Sequence, residues 1–219
     1  MVPFKHQREK RHNGKAKRPQ IPVFLRQSKM THFGSAVRHF ADSVKGHDLL
    51  ERIQNIGYKI AQIPIYRLTR DKLKNIYAKR SAEQIIRDNA IYAKEKGAFG
   101  KDISGCVDHA HVAVACLRYM GIQARFVRWA AHSMAAFSVG GKEYFLDPFA
   151  YARYKNNPLR ELKGEEKMAL QIGKKTGVYY EGFDAHDIGL DYMHFREPRN
   201  ESKKVKPETS DQVAIGYTH

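Results

Sequence analysis

The sequence predicts an α+β fold, a buried helix packed on an antiparallel sheet behind a helical N-terminal part. Three observations carry this. Apolar residues in the first half recur at spacings of three and four, the helical period. Val112 to Leu117 is an unbroken run of apolar residues and cysteine, which marks a helix buried on every side. After Gly121 the pattern changes to β-branched, aromatic and alternating residues, with Gly140-Gly141 between two such runs. Helices first and strands afterwards point to α+β rather than to a doubly wound parallel sheet.

Along the chain, Val37, Phe40 and Val44, then Leu49, Ile53, Ile56 and Ile60, form amphipathic stripes over residues 34–60. Gly46 divides them into two helices. Ile63 to Tyr66 reads as an extended link, and Thr69 to Lys79 as a helix capped by Thr69. Ser81 followed by Gln84 is a capping box that opens a helix to about Lys96, where Gly97 and Gly100 end it. The buried helix begins near Cys106 and stops at Gly121. Strands follow at Ile122–Ala130, His132–Val139 and Lys142–Leu146.

Composition bounds the class. The chain has 219 residues, 42% apolar and 28% charged, enough for one core without staples. Two cysteines cannot make a disulfide scaffold. No run of 18 apolar residues is present, so no membrane-spanning helix is expected. Lys and Arg number 39 against 23 acids, a formal charge of +16. Residues 1–20 hold seven of these cations and one acid, Glu9, with almost nothing to bury. They are expected to be a disordered basic arm. Residues 196–219 are expected to be a polar tail, which leaves residues 21–195 for a single domain. The charge admits a second class of function, non-specific binding of nucleic acid or an anionic surface through residues 1–20.

Chemistry concentrates at Cys106. It stands in Ser104-Gly105-Cys106-Val107-Asp108, at the start of the buried helix, where the positive end of the helix dipole favours a thiolate. A thiolate needs a proton-handling base, and the base needs an orienting group. The hairpin offers both. With Gly140 and Gly141 as turn residues, facing residues have numbers summing to 281, so His132 faces Phe149. Asp147 is then a diagonal neighbour of His132 on the same face, with backbones about 7–8 Å apart. Cys116 lies inside the apolar run and reads as core filling. His109 shares a helix face with Cys106 and reads as a wall beside the sulfur. His111 lies across the helix from Cys106, so Cys106, His109 and His111 do not make a zinc site. Asp187, Asp191 and His194 fall on one helix face and read as solvated polar residues. Trp129, three residues before His132, is a candidate wall of a substrate groove or, equally, a core or edge-strand aromatic.

The residues Gly105-Cys106-Val107-Asp108-His109-Ala110 and Leu117-Arg118-Tyr119-Met120-Gly121-Ile122-Gln123-Ala124-Arg125-Phe126-Val127, followed by His132 and Asp147-Pro148, resemble the transglutaminase-like superfamily. The resemblance spans roughly residues 80–150. Two departures stand out: Gln123 replaces a customary proline, and Ser133-Met134 follows the histidine where the family usually has Ala-Trp. The resemblance implies a papain-like core with Cys106 as nucleophile, His132 as base and acid, and Asp147 as orienter. It implies acyl transfer at a protein or peptide amide, with hydrolysis by a cysteine peptidase or amidase favoured over cross-linking. No metal or cofactor is called for. An oxyanion hole would draw on the backbone N–H of Cys106, with Gln84 or Asn89 as side-chain candidates. An inactive interaction module on the same fold is the remaining alternative. The absence of a signal segment and the need for a reduced thiol favour a cytoplasmic location.

Overall fold

A computed structural model describes residues 25–63, 78–94 and 105–188. The expected basic arm, the polar tail and the expected helix before Ala78 lie outside the described residues. Within them, the α+β class is the observed one. Helices α1 (Ser35–Asp42), α2 (Leu49–Ile60), α3 (Ala82–Lys94) and α4 (Cys106–Tyr119) precede strands β1 (Ala124–Trp129), β2 (His132–Val139) and β3 (Lys142–Leu146). Helix α5 (Pro148–Tyr154), strand β4 (Leu159–Glu161), helix α6 (Gly164–Thr176) and strand β5 (Tyr179–Gly182) complete the order. The five strands form one sheet, β4-β3-β2-β1-β5, in which every neighbouring pair is antiparallel.

Local chemistry sets these boundaries. Asp48 caps α2 by accepting the Glu51 N–H. Gly46 separates α1 from α2 because a Cβ there would collide with the Arg52 backbone. Ser81 and Gln84 make the reciprocal capping box of α3: Ser81 Oγ accepts the Gln84 N–H at 3.2 Å, and Gln84 Oε1 accepts the Ser81 N–H at 2.9 Å. Helix α4 ends in a Schellman turn. Gly121 adopts φ +79°, its N–H reaches the Arg118 carbonyl and the Ile122 N–H reaches the Leu117 carbonyl.

Helix α4 is the centre of the molecule. Every residue from Val107 to Arg118 is buried, polar ones included. One side packs on β1 and β2, and helices α1, α2, α3 and α5 surround the rest. The core on this side of the sheet includes Phe126, Phe137 and Leu146. A second core on the other side gathers Val127, Met134, Phe145, Leu162 and Tyr179, with Trp129 and Leu170 packed against it. Leu170 comes from α6, which lies over that face.

The β2–β3 hairpin turns through Gly140 and Gly141 at φ +58° and +74°, the conformation a two-residue type I′ turn requires. The register runs from Val139–Lys142 to Ala135–Leu146, and each pair sums to the expected 281. Beyond Leu146 the chain leaves the ladder. The Asp147 N–H turns to the Pro158 carbonyl at 2.7 Å, and α5 begins.

The expected helical face of Asp187 is replaced by a turn over residues 183–188, and Asp191 and His194 lie outside the described residues. Asp184 closes that turn by accepting the His186 and Asp187 N–H groups at 2.8 and 3.0 Å. An aspartate that bonds its own following backbone favours a turn over a helix. Among the described residues no helix is long and apolar enough to cross a membrane, and no group of three His, Cys, Asp or Glu side chains is placed to hold a metal ion.

Candidate active site

Three elements meet at the tip of α4. Cys106 is the first helical residue, half-buried, and Gly105 before it is the N-cap. Gly105 has no side chain to cap this end, and among the described residues none takes up its first-turn N–H groups. A Cβ on Gly105 would meet no described atom within 4 Å. His132 opens β2 and Asp147 directly follows β3, and the glycine hairpin brings both to the same end of the sheet.

His132 Nε2 lies 2.6 Å from Asp147 Oδ2. Asp147 is itself held in place: it is the N-cap of α5, and its Oδ1 accepts the Ala150 N–H at 3.1 Å. One carboxylate oxygen therefore starts a helix while the other receives the imidazole. Burial works against a charge on His132. The hydrogen bond to Asp147 and the nearby Cys106 sulfur outweigh it, and the ring is pushed up to about 10. With Nε2 committed to Asp147, Nδ1 is the nitrogen left for the sulfur.

The three residues singled out from the sequence are thus brought together. Among the neighbours, Gln84 departs from expectation, while Trp129 and Cys116 take core positions. Gln84 is spent on the capping box of α3 and is exposed there, so it is not a donor to this site. Trp129 packs edge-on against Phe145 and Tyr179 at 6.1 and 6.3 Å, in the core on the far side of the sheet. It therefore lines no groove at Cys106. Cys116 is fully buried, and burial pushes its thiol up to about 12.

His109 and Phe149 stand beside the trio. The His109 ring is 0% exposed, and its Nε2 bonds the Ile63 carbonyl at 3.1 Å. Burial is the main reason its pKa falls to about 4, so the ring is neutral and Nε2 is the donor. The Phe149 ring lies 5.5 Å from that of His132 and 6.2 Å from that of His109.

A second buried polar layer holds the base of α4. Arg80 meets Asp108 at 2.6 Å, with only 12% and 3% of the two side chains exposed, and Asp88 at 3.5 Å. Arg118 donates to the carbonyls of Ala124, Arg26 and Phe183 and to Thr31 Oγ1. His111 accepts the Ala185 N–H at 3.3 Å. These bonds tie the start of the described chain and the turn at 183–188 to α4.

No known family matches the chain, and no curated protein matches it. A solved structure of a candidate cysteine protease from Cytophaga hutchinsonii is similar at 18% identity and a TM-score of 0.48. The similarity covers 76% of this chain and 48% of that one, so this chain spans about half the length of that protein.

Proposed function

We propose that the protein catalyses thiol-dependent acyl transfer at amide bonds through Cys106, His132 and Asp147, in the manner of the transglutaminase-like superfamily. The observation that carries the reading is the 2.6 Å bond between His132 and Asp147, with the ring raised by both that carboxylate and the Cys106 sulfur. A structural histidine gains nothing from a sulfur at a helix tip on one side and a helix-capping carboxylate on the other. A base for a thiol requires such a placement.

The sulfur attacks the amide carbonyl, and the carbon–sulfur bond forms as the carbonyl oxygen takes the negative charge. The N–H groups of the first turn of α4, that of Cys106 among them, are the donors available to that oxyanion. His132 gives its proton to the leaving nitrogen as the carbon–nitrogen bond breaks, which leaves an acyl-thioester on Cys106. Neutral His132 then takes a proton from water, whose oxygen attacks the thioester; the carbon–sulfur bond breaks, the acid leaves, and the thiolate and imidazolium are restored. Asp147 holds the ring with Nδ1 toward the sulfur and stabilises the imidazolium without taking its proton.

We favour water over an amine as acceptor because Cys106 is only half-buried. Cross-linking needs a site that excludes water. The substrate is then a peptide or protein amide, and a thiol that must stay reduced suits the cytoplasm. The test compares wild type with Cys106→Ala on a mixed peptide library, read by mass spectrometry. Loss of cleavage in the variant supports the reading, and full retention overturns it. Iodoacetamide at pH 6 followed by mass mapping supplies a second readout with an internal control. Cys106 is expected to label while buried Cys116 does not.

A further inference from the structure

We infer that His109 and Phe149 are positioning residues that lock the His132 ring to the same helix that carries Cys106; this rests on the acyl-transfer reading above. A single hydrogen bond at Nε2 fixes one atom of an imidazole and leaves the ring free to swing about it. Holding Nδ1 toward the sulfur takes a second contact on the ring, and Phe149 supplies it at 5.5 Å with a 50° tilt. Phe149 follows Asp147 by two residues on the first turn of α5, so the carboxylate and the aromatic contact move together.

Phe149 is braced in turn. His109 meets it edge-on at 6.2 Å and 65°. The His109 ring is fully enclosed, and its bond to the Ile63 carbonyl fixes its plane. His109 is three residues after Cys106, on the same side of α4. The contacts therefore run from α4 through His109, Phe149 and His132 back to the tip of α4, a closed loop with sulfur and base at its ends.

The chemistry of His109 fits a brace. Its Nδ1 is buried with no partner among the described residues. An orphaned buried acceptor costs stability, and an aliphatic residue would fill the space without that cost. What histidine adds is a flat ring with one donor that sets its orientation. It must also be neutral, since a second cation would repel the His132 imidazolium. The titratable groups around this loop are Cys106, His132, Asp147 and His109 itself.

The test measures iodoacetamide alkylation of Cys106 from pH 4 to 9 in the full chain. Wild type is compared with Phe149→Leu, Phe149→Tyr and His109→Leu. Cys116 labelling in the absence of urea reports any variant that has lost its fold. Phe149 is half-buried, so Phe149→Leu tests the brace even where His109→Leu does not fold. A loosened base stabilises the thiolate less. Phe149→Leu is expected to slow alkylation at pH 6 by about tenfold to a hundredfold and to move its onset to higher pH. Phe149→Tyr, which keeps the ring, is expected to recover most of the rate. A Phe149→Leu profile that overlays wild type overturns the brace. Wild-type Cys106 that alkylates at pH 6 no faster than the urea-unfolded chain overturns the acyl-transfer reading itself, so the two failures are distinguishable.

Discussion

Replacing Asp147 with asparagine keeps the shape of the site and removes its charge. Asparagine caps helices as well as aspartate does, so α5 keeps its first bond, the one Oδ1 makes to Ala150. The other arm changes from an acceptor to an NH₂ donor. His132 Nε2 must then accept, which places the ring proton on Nδ1 and leaves the imidazolium without its partner. The size of the effect follows from the titration of the ring. A rise from 6.5 to about 10 corresponds to at most about 5 kcal/mol of preference for the charged form. Side-chain exposures of 25% for His132 and 18% for Asp147, together with the share due to Cys106, reduce the carboxylate's part to about 2–3 kcal/mol. Because the folded value is raised, this stability is fully present below the unfolded value near 6.5 and is lost as pH rises through about 10. Urea denaturation of wild type and Asp147→Asn at pH 6, 8 and 10 reads the difference directly. The gap is expected to be widest at pH 6 and to narrow toward pH 10, while the His132 ring resonance in the variant titrates well below its wild-type position. A gap that stays constant across the range, or a His132 titration unmoved by the substitution, refutes the argument.

Further outcomes follow from the buried polar groups. Asp108→Asn strands the Arg80 guanidinium, whose side chain is 12% exposed, and is expected to cost about 3 kcal/mol in urea denaturation. A loss under about 0.5 kcal/mol shows that Asp88 alone suffices. Neutral His109, held down to about 4, gives stability that is complete above pH 6.5 and is lost as pH falls through 4, by at most about 3 kcal/mol. His109→Gln is therefore expected to flatten the fall in stability between pH 6.5 and 4, and an unchanged slope contradicts the assignment of a buried neutral ring. Gln84→Ala is expected to cost about 1 kcal/mol through its cap and to leave Cys106 alkylation unchanged. A fall in alkylation without a fall in stability reassigns Gln84 to the site.

What the sequence made legible was what repeats with a short period or sits at a conformational extreme. Two adjacent glycines, both needing positive φ, located the hairpin turn, and counting outward reproduced the register as far as Ala135–Leu146 and brought His132 and Asp147 to one end of it; the expected pairing of His132 with Phe149 does not form, because the chain turns into α5 after Leu146. An apolar run without a polar face identified the buried helix, and Ser81 with Gln84 gave the start of α3. Elements with weak patterns escaped. Helix α6 exposes Met168 and Ile172 and buries Gly173, which inverts the usual amphipathic signal, and β4 is only three residues long. Trp129 was ambiguous because three residues of sequence place it near His132; of its two readings the core one holds, since the strand directs it into the second core.

The polar interior of α4 was the least legible part, and the reason bears on the chemistry. Asp108, His109, His111 and Arg118 are all buried on a helix whose apolar character alone would account for its position. Each bonds a residue far along the chain: Asp108 meets Arg80, His109 the Ile63 carbonyl, His111 the Ala185 N–H, and Arg118 both Thr31 and Phe183. No local period can announce partners separated by 28 to 87 residues. Apolar packing tolerates small slips of a helix along its axis because it is non-directional. Hydrogen bonds from several faces do not tolerate them, since a shift of one ångström breaks several at once. The buried polar set therefore pins α4 in depth and rotation, and its tip is where the sulfur stands. A helix that only needed to fill the core could dispense with these groups, and one that must present Cys106 to His132 within a fraction of an ångström could not.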